Sequence, residues 1–319
     1  MGALLLGQTT SVKIQSQFEV NMLKKNNATS CAVITGASGT LGSEIAIALA
    51  LRGIRVVAIG RSLDRLETLK QRASTEVTAR LSLVPVDVTN FPAVRDVFRR
   101  VAEENGPPQI LVNAAGSYGA IGEVAETDPI AWRRAIDVNL MGTYNCCHCV
   151  LPYMISANEG SIISLAGGGA SGPLEYLSSY GVSKAGIARL MDSIASEIAA
   201  TRVRVNAILP GAIDSPMQDQ LLAAGQKAGH WLKKIKALRE FGEGATASER
   251  TVVLIEFLLF GLGKTLSGKL LSARYDHVEK WTPEQIVQIS KSTLYSLRRI
   301  DPSTIIEVMK MFSIDDLQK

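Results

Sequence analysis

The sequence predicts an α/β protein with a doubly wound parallel sheet, one domain carrying a helical C-terminal extension. Three observations point there. From Cys31 onward, short β-branched runs alternate with longer stretches of helical period, the pattern of repeated strand–helix–strand units. Several of those runs are apolar without alternation, as strands covered by helices on both faces are. The first run leads into Thr35-Gly36-Ala37-Ser38-Gly39-Thr40-Leu41-Gly42, which opens a helix rich in Ala, Ile and Leu.

In chain order, strands are predicted over 31–35, 54–60, 81–86, 109–113, 160–165, 202–208 and 267–272. Helices are predicted near 40–52, 62–73, 91–104, 128–155, 178–200 and 246–260. Pro85 removes a ladder donor and so assigns the third strand to a sheet edge. Residues 1–29 are polar and irregular and read as a flexible extension. The domain proper spans 30–272, and 273–319 reads as a helical tail whose helix opens at Thr282-Pro283. Between 217 and 242, Lys227, Lys233, Lys234, Lys236 and Arg239 mark a basic helical stretch, read as a solvated face.

Composition narrows the functional classes. The 319 residues are 46% apolar and 20% charged, which excludes a disordered or collagen-like chain. A net charge of +4, spread along the chain, gives no footprint for nucleic acid. The longest apolar run, Thr251 to Gly263, is broken by Glu256 and falls short of the roughly 20 residues a bilayer span needs. No secretory signal is read, and three of the four cysteines crowd into 146–149. A soluble protein of the reducing cytoplasm is expected, with no membrane partner. Cys146-Cys147-His148-Cys149 is not read as a metal site, because adjacent side chains on a helix diverge. Leu140, Tyr144, Cys147, His148 and Leu151 follow helical spacing and read as a packed stripe, so no metal is expected.

The glycine turn has a mechanism behind it. Glycine lets the chain leave the strand sharply and brings backbone N–H groups close to a pyrophosphate at the helix N-terminus. Gly36, Ser38, Gly39, Thr40, Leu41 and Gly42 are therefore candidate dinucleotide contacts; the plain alternative is a tight turn. The second strand ends at Gly60-Arg61-Ser62, with no acidic side chain for a ribose 2′-hydroxyl. Arg61 either clamps a 2′-phosphate, favouring NADP over NAD, or stands as a solvated first-turn residue. Tyr180 and Lys184 sit one helical turn apart. A phenol needs a nearby cation to titrate toward neutral pH, and Lys184 supplies one.

The glycine turn, Asn113-Ala114-Ala115-Gly116, Asn139 within Asp137-Val138-Asn139-Leu140, the Tyr180/Lys184 pair and Pro210-Gly211 occur in one order. In combination they resemble the short-chain dehydrogenase/reductase family over about residues 30–272. The resemblance implies a single Rossmann-type NAD(P)-binding catalytic domain and hydride transfer between nicotinamide and a small-molecule carbonyl/alcohol pair. It implies Tyr180 as general acid/base, Lys184 on the nicotinamide ribose, and Asn139 holding a water in the proton relay. It assigns Asp87 and Val88 to the adenine side, Asn113 to Gly116 to the adenine ribose, Pro210 and Gly211 to the cofactor site, and Ile213 and Ser215 after them to the nicotinamide carboxamide. It further implies a homodimer or homotetramer paired through the helices at 128–155 and 178–200.

Two features depart from the family pattern. The glycine spacing 36, 39, 42 matches the extended subgroup, whereas Asn113 to Gly116 and Arg204 to Gly211 match the compact one. The serine that orients substrate, about thirteen residues before the tyrosine, is replaced by Ala166 and Gly167. Ser164, Ser171 or a backbone N–H of the glycine run would have to substitute. Two other readings use the same motifs: a sugar-nucleotide epimerase or dehydratase that recycles its cofactor, and a cofactor-bound sensor or structural protein.

Overall fold

Among the residues described in the computed structural model, 30–241 and 243–299 with Pro302, Ile305, Ile306 and Met309, seven strands form one sheet. They are β1 (Cys31–Thr35), β2 (Arg55–Gly60), β3 (Leu81–Pro85), β4 (Ile110–Asn113), β5 (Gly160–Leu165), β6 (Val203–Leu209) and β7 (Leu270–Ser272). Every pairing is parallel and the order is β3-β2-β1-β4-β5-β6-β7. The order reverses between β1 and β4, which leaves a crevice beyond their carboxyl ends. Register levels those ends: Thr35 lies opposite Asn113, and Asn113 opposite Ser164. Pro85 ends an edge strand, where its missing N–H leaves no inner ladder bond unmade.

The period of two along β1 divides the core. Ala32 and Ile34 bury against α1 (Thr40–Leu51), α10 (Glu243–Phe260) and their neighbours; Cys31 and Val33 face the opposite layer. That second layer holds α4 (Phe91–Asn105), α6 (Gly142–Ala157) and α7 (Ser178–Glu197), with Phe98, Cys146, Met154 and Met191 buried. The helix expected near 62–73 is α2 (Leu63–Gln71), followed by a short α3 (Thr75–Thr78), and a serine caps each, Ser62 and Ser74.

The long helix expected over 128–155 is helical throughout but not α-helical throughout. It consists of α5 (Pro129–Ala135), a π-helical turn (Ile136–Met141) and α6. The proposed stripe on α6 needs correction: Tyr144 and His148 are exposed, and the buried face is formed by Asn145, Cys146, Cys147, Cys149, Val150 and Met154. One helical turn of side-chain spacing fits two adjoining faces, and only the neighbours decide which is covered. The last strand starts at Leu270 rather than 267, because Gly268 is left-handed (φ +71°) and turns the chain into the sheet.

The basic stretch folds as α8 (Asp219–Ala224) and α9 (Trp231–Phe241), separated by left-handed Gly225 and Gly229. Its lysines and Arg239 are exposed. Residues 1–29 and most of 300–319, read as extension and tail, lie outside the described residues. What is described beyond 272 packs on the domain. Thr282 and Gln285 form a reciprocal cap on α11 (Pro283–Lys291), whose Ile286 and Ile289 join the core layer of α1. The Leu270 N–H donates to the Tyr295 carbonyl at 2.6 Å, so this segment covers the open edge of β7. Ile289→Ala is expected to lower unfolding free energy by about 3 kcal/mol, as buried Ile truncations do, measured by urea titration.

Candidate active site

A cleft of about 880 Å³ runs along the carboxyl edge of the sheet, from the end of β2 to the α8–α9 cover. At one end, the turn after β1 brings backbone against backbone. A Cβ on Gly36 (φ +66°) would stand 2.6 Å from the Ala115 nitrogen, and one on Gly42 would stand 2.3 Å from the Gly36 carbonyl oxygen. These two glycines set how closely α1 approaches the sheet. The N-terminus of α1 has no side-chain cap and no acidic residue in its first turn, and Thr40 and Leu41 line the cleft. Its free N–H groups therefore suit an anion.

Next to it, Ser38, Arg61, Ser62 and Arg65 line a smaller depression. A Cβ on Gly60 would lie 3.0 Å from the Ser38 hydroxyl and 3.1 Å from Leu66 Cδ2, so a larger side chain there would have to displace both. Ser62 caps α2, its oxygen accepting from the Arg65 N–H at 3.3 Å, which leaves the hydroxyl hydrogen to donate into the depression. Asp87 and Val88 line the cleft, with the Asp87 carboxylate accepting from the Thr89 N–H and hydroxyl at 2.9 and 2.8 Å. An open helix N-terminus flanked by two guanidinium groups, in a cleft of dinucleotide size, fits a phosphorylated dinucleotide.

The middle of the cleft holds Tyr180 and Lys184. Lys184 Nζ lies 5.4 Å from the Tyr180 ring centre and donates to the Leu165 carbonyl at 2.8 Å. No carboxylate pairs with it among the described residues, and burial pushes its ammonium from 10.5 down to about 7. Burial also pushes the Tyr180 phenol up, and nearby Tyr118 adds to that shift. In the chain by itself these two causes set the direction of the Tyr180 shift.

Asn139 is fully buried in the π-helical turn. Its Nδ2 donates to the Ser117 carbonyl (2.9 Å) and the Ser183 hydroxyl (2.8 Å), and its Oδ1 accepts from the Ser117 N–H (2.8 Å). Asn139 Oδ1 and Lys184 Nζ lie 3.6 and 3.8 Å from the Cβ position of Gly116, so both border the same spot. Ala114, Ala115 and Gly116 line the cleft, as do Pro210, Gly211, Ile213 and Ser215. Asn113 does not: its Nδ2 points inward to Ser164 Oγ at 3.1 Å and Cys147 Sγ at 3.5 Å.

That contact corrects one expectation. Ser164 is fully buried between β4 and β6, accepts from Asn113 and does not reach the cleft. Ala166 borders the cleft with almost no exposed surface, and a Cβ on Gly167 would stand 2.9 Å from the Tyr180 hydroxyl. Sequence reasoning also passed over Tyr118, Arg65, Thr35 and Ser179. Thr35 Oγ1 accepts from the Ala114 and Ala115 N–H groups at 3.1 and 3.2 Å, and Ser179 Oγ donates to the Tyr118 carbonyl at 2.9 Å. None of the four stands out by spacing; Arg65 alone had a signal, one helical turn beyond Arg61.

Apolar side chains close the far end: Met217, Leu221, Trp231, Ile235 and Leu238. The cover is fastened at several points. Trp231 Nε1 donates to the Glu175 carbonyl at 2.9 Å, and Arg239 bridges Asp214 and Asp219 at 2.9 and 2.7 Å. Left-handed Tyr176 (φ +63°) lays its ring where Gly229 leaves space.

A doubly wound parallel sheet with an open helix N-terminus at its switch point defines a Rossmann-type nucleotide-binding protein. The sequence model of short chain dehydrogenases matches residues 30–225, and the chain belongs to that family. An uncharacterized oxidoreductase of Staphylococcus saprophyticus is 36% identical over 58% of this chain and 79% of its own length. The cis-4-hydroxycyclohexanecarboxylate dehydrogenase of Sinomonas cyclohexanicum is 37% identical over 58% of this chain and 74% of its own. Among solved structures, a variant of actinorhodin polyketide ketoreductase with NADPH superposes with a TM-score of 0.68 at 26% identity, covering 76% of this chain and 95% of that one. NAD+-bound xylitol dehydrogenase gives 0.69 at 25% identity, over 78% and 98%. The chain is an oxidoreductase of this family.

The buried lysine has a measurable consequence. Between pH 7 and 10.5 the unfolded chain holds a proton that folded Lys184 rejects, so this group makes stability rise with pH across that window. Lys184→Met is expected to remove that slope. The stability difference between variant and wild type should narrow from pH 7 to 10.5, as followed by thermal unfolding without cofactor.

Proposed function

We propose that the chain is an NADP-preferring oxidoreductase, also able to use NAD, that interconverts a small-molecule carbonyl and alcohol. The observation carrying this reading is that Tyr180 and Lys184 share one cleft with the open N-terminus of α1 and the guanidinium groups of Arg61 and Arg65. When bound, the nicotinamide supplies or accepts the hydride. In reduction the Tyr180 hydroxyl gives its proton to the carbonyl oxygen; in oxidation the phenolate takes it back. Lys184, oriented by the Leu165 carbonyl, keeps N–H groups free for ribose hydroxyls. Asn139 holds the loop on the other side of this relay.

The turn from Gly36 to Gly42 holds pyrophosphate, and Arg61 with Ser38 and Ser62 holds the 2′-phosphate. Asp87 and Val88 face adenine, Ala114 to Gly116 its ribose, and Pro210, Gly211, Ile213 and Ser215 the carboxamide. NADPH in the ketoreductase structure and NAD+ in the xylitol dehydrogenase structure support the two cofactors. The apolar cover from Met217 to Leu238 favours a substrate with an apolar body, and the ring alcohol in the name of the Sinomonas relative is of that kind.

The catalytic unit on this reading is 30–272. Four free, buried cysteines support a reducing, cytoplasmic setting. Met141, Tyr144, Ile155 and Val182, exposed on or beside α6 and α7, support pairing with a second copy. No described helix is long and apolar enough to cross a membrane.

A panel of small ketones, aldehydes and alcohols with NADPH, NADH and their oxidised forms, followed by nicotinamide absorbance, tests the reading; turnover of none would sink it. Tyr180→Phe is expected to cut turnover by about 10³-fold with cofactor affinity retained. Arg61→Ala is expected to weaken NADP binding roughly tenfold more than NAD binding, measured by cofactor fluorescence titration.

A further inference from the structure

The site lacks the hydroxyl that should share the substrate oxygen with Tyr180, and the backbone shows why it cannot simply be restored. Gly167 is left-handed (φ +106°), and any Cβ there crowds the Tyr180 hydroxyl at 2.9 Å. Ala166 borders the cleft but packs against the core and carries no hydroxyl, and Ser164 is held inside the sheet by Asn113. Yet a developing oxyanion needs donors already in place.

Tyr118 stands beside the gap. Its side chain is buried, lines the cleft, and lies with its ring centre 5.0 Å from that of Tyr180 at a 56° tilt. Its hydroxyl has no hydrogen-bond partner among the described residues and is not sealed from the cleft. The loop carrying it is gripped from two sides. Asn139 holds Ser117 through both backbone groups, and Ser179, next in chain to Tyr180, holds the carbonyls of Tyr118 and Ala120 at 2.9 and 3.3 Å. Left-handed Gly119 fits against Ala131 and Ala135 of α5, where a Cβ would meet Ala135 at 2.7 Å. Such fixing is what a donor aimed at a transition state requires.

We propose that Tyr118 is a catalytic residue of this site, its hydroxyl donating a hydrogen bond to the substrate oxygen that Tyr180 protonates. This rests on the oxidoreductase reading. The two phenols divide the work: Tyr180 transfers its proton, while Tyr118 keeps its own. Burial, which pushes Tyr118 up to about 12, favours the donor form throughout the working range. Ser171, also on the cleft lining, is exposed and carries no such clamp.

The test uses the full chain loaded with NADPH and 4-nitrobenzaldehyde as carbonyl probe, or the best substrate of the panel. Tyr118→Phe keeps the ring and is expected to lower kcat by about 100-fold, with NADPH affinity and unfolding midpoint unchanged. Adding Gly168→Ser should restore part of the loss, because a Cβ at 168 faces open space in the cleft. Equal kcat for Tyr118→Phe and wild type overturns the proposal, as does a loss from Ser171→Ala with none from Tyr118→Phe. If the wild type reduces no carbonyl, the oxidoreductase reading fails first. Binding of 2,2,2-trifluoroethanol to the NADP-loaded protein, followed by fluorine NMR, then decides the Tyr118 role separately. A roughly tenfold weaker complex in Tyr118→Phe supports it; equal affinity, or no binding at all, overturns it.

Discussion

Asn139 has no exposed surface, and its amide joins three separate pieces of chain: the π-helical turn it sits in, the loop after β4, and the first turns of α7. Both amide hydrogens and one lone pair are used inside the protein. A buried amide left unpaired is costly, so each of these pieces is held where the others require it. Tyr180, Lys184 and Tyr118 all ride on segments fixed by this one side chain. The widened turn supports the arrangement, since π-helical turns are uncommon and favour functional positions.

The cofactor end is organised by steric closeness instead. Gly36 and Gly42 let two backbones meet at distances no side chain permits, and the uncapped N-terminus of α1 is left facing the cleft. Polar groups deny themselves partners here for the sake of a ligand. The same logic governs Lys184, which is buried with the Leu165 carbonyl as its hydrogen-bond partner and is pushed down to about 7 by that burial. Stability is given up at the positions where chemistry is needed.

Much of the fold was legible because its signals are local. Strand edges, the glycine turn and the edge assignment of Pro85 follow from residue type and period alone. The elements that were misread are those where local signals are degenerate. The helical period across 128–157 continues through the π-helical turn without a mark, and Tyr144 and His148 share their spacing with the buried face of α6. Ser164 illustrates the same limit at the site: on a strand, a hydroxyl two residues off is on the right face but pairs with Asn113 in the neighbouring strand.

By itself the sequence determined an α/β chain with a nucleotide-binding turn, a Tyr180/Lys184 pair and no serine at its usual place, because turns, periods and one-turn spacings are short-range properties. Tertiary structure decided the rest. Asn113 turned inward, the described segment after 272 became part of the core, Arg65 joined Arg61, and Tyr118 came to lie beside Tyr180. These outcomes depend on which segments, separated by tens of residues, compete for the same buried space, and no local pattern encodes that competition.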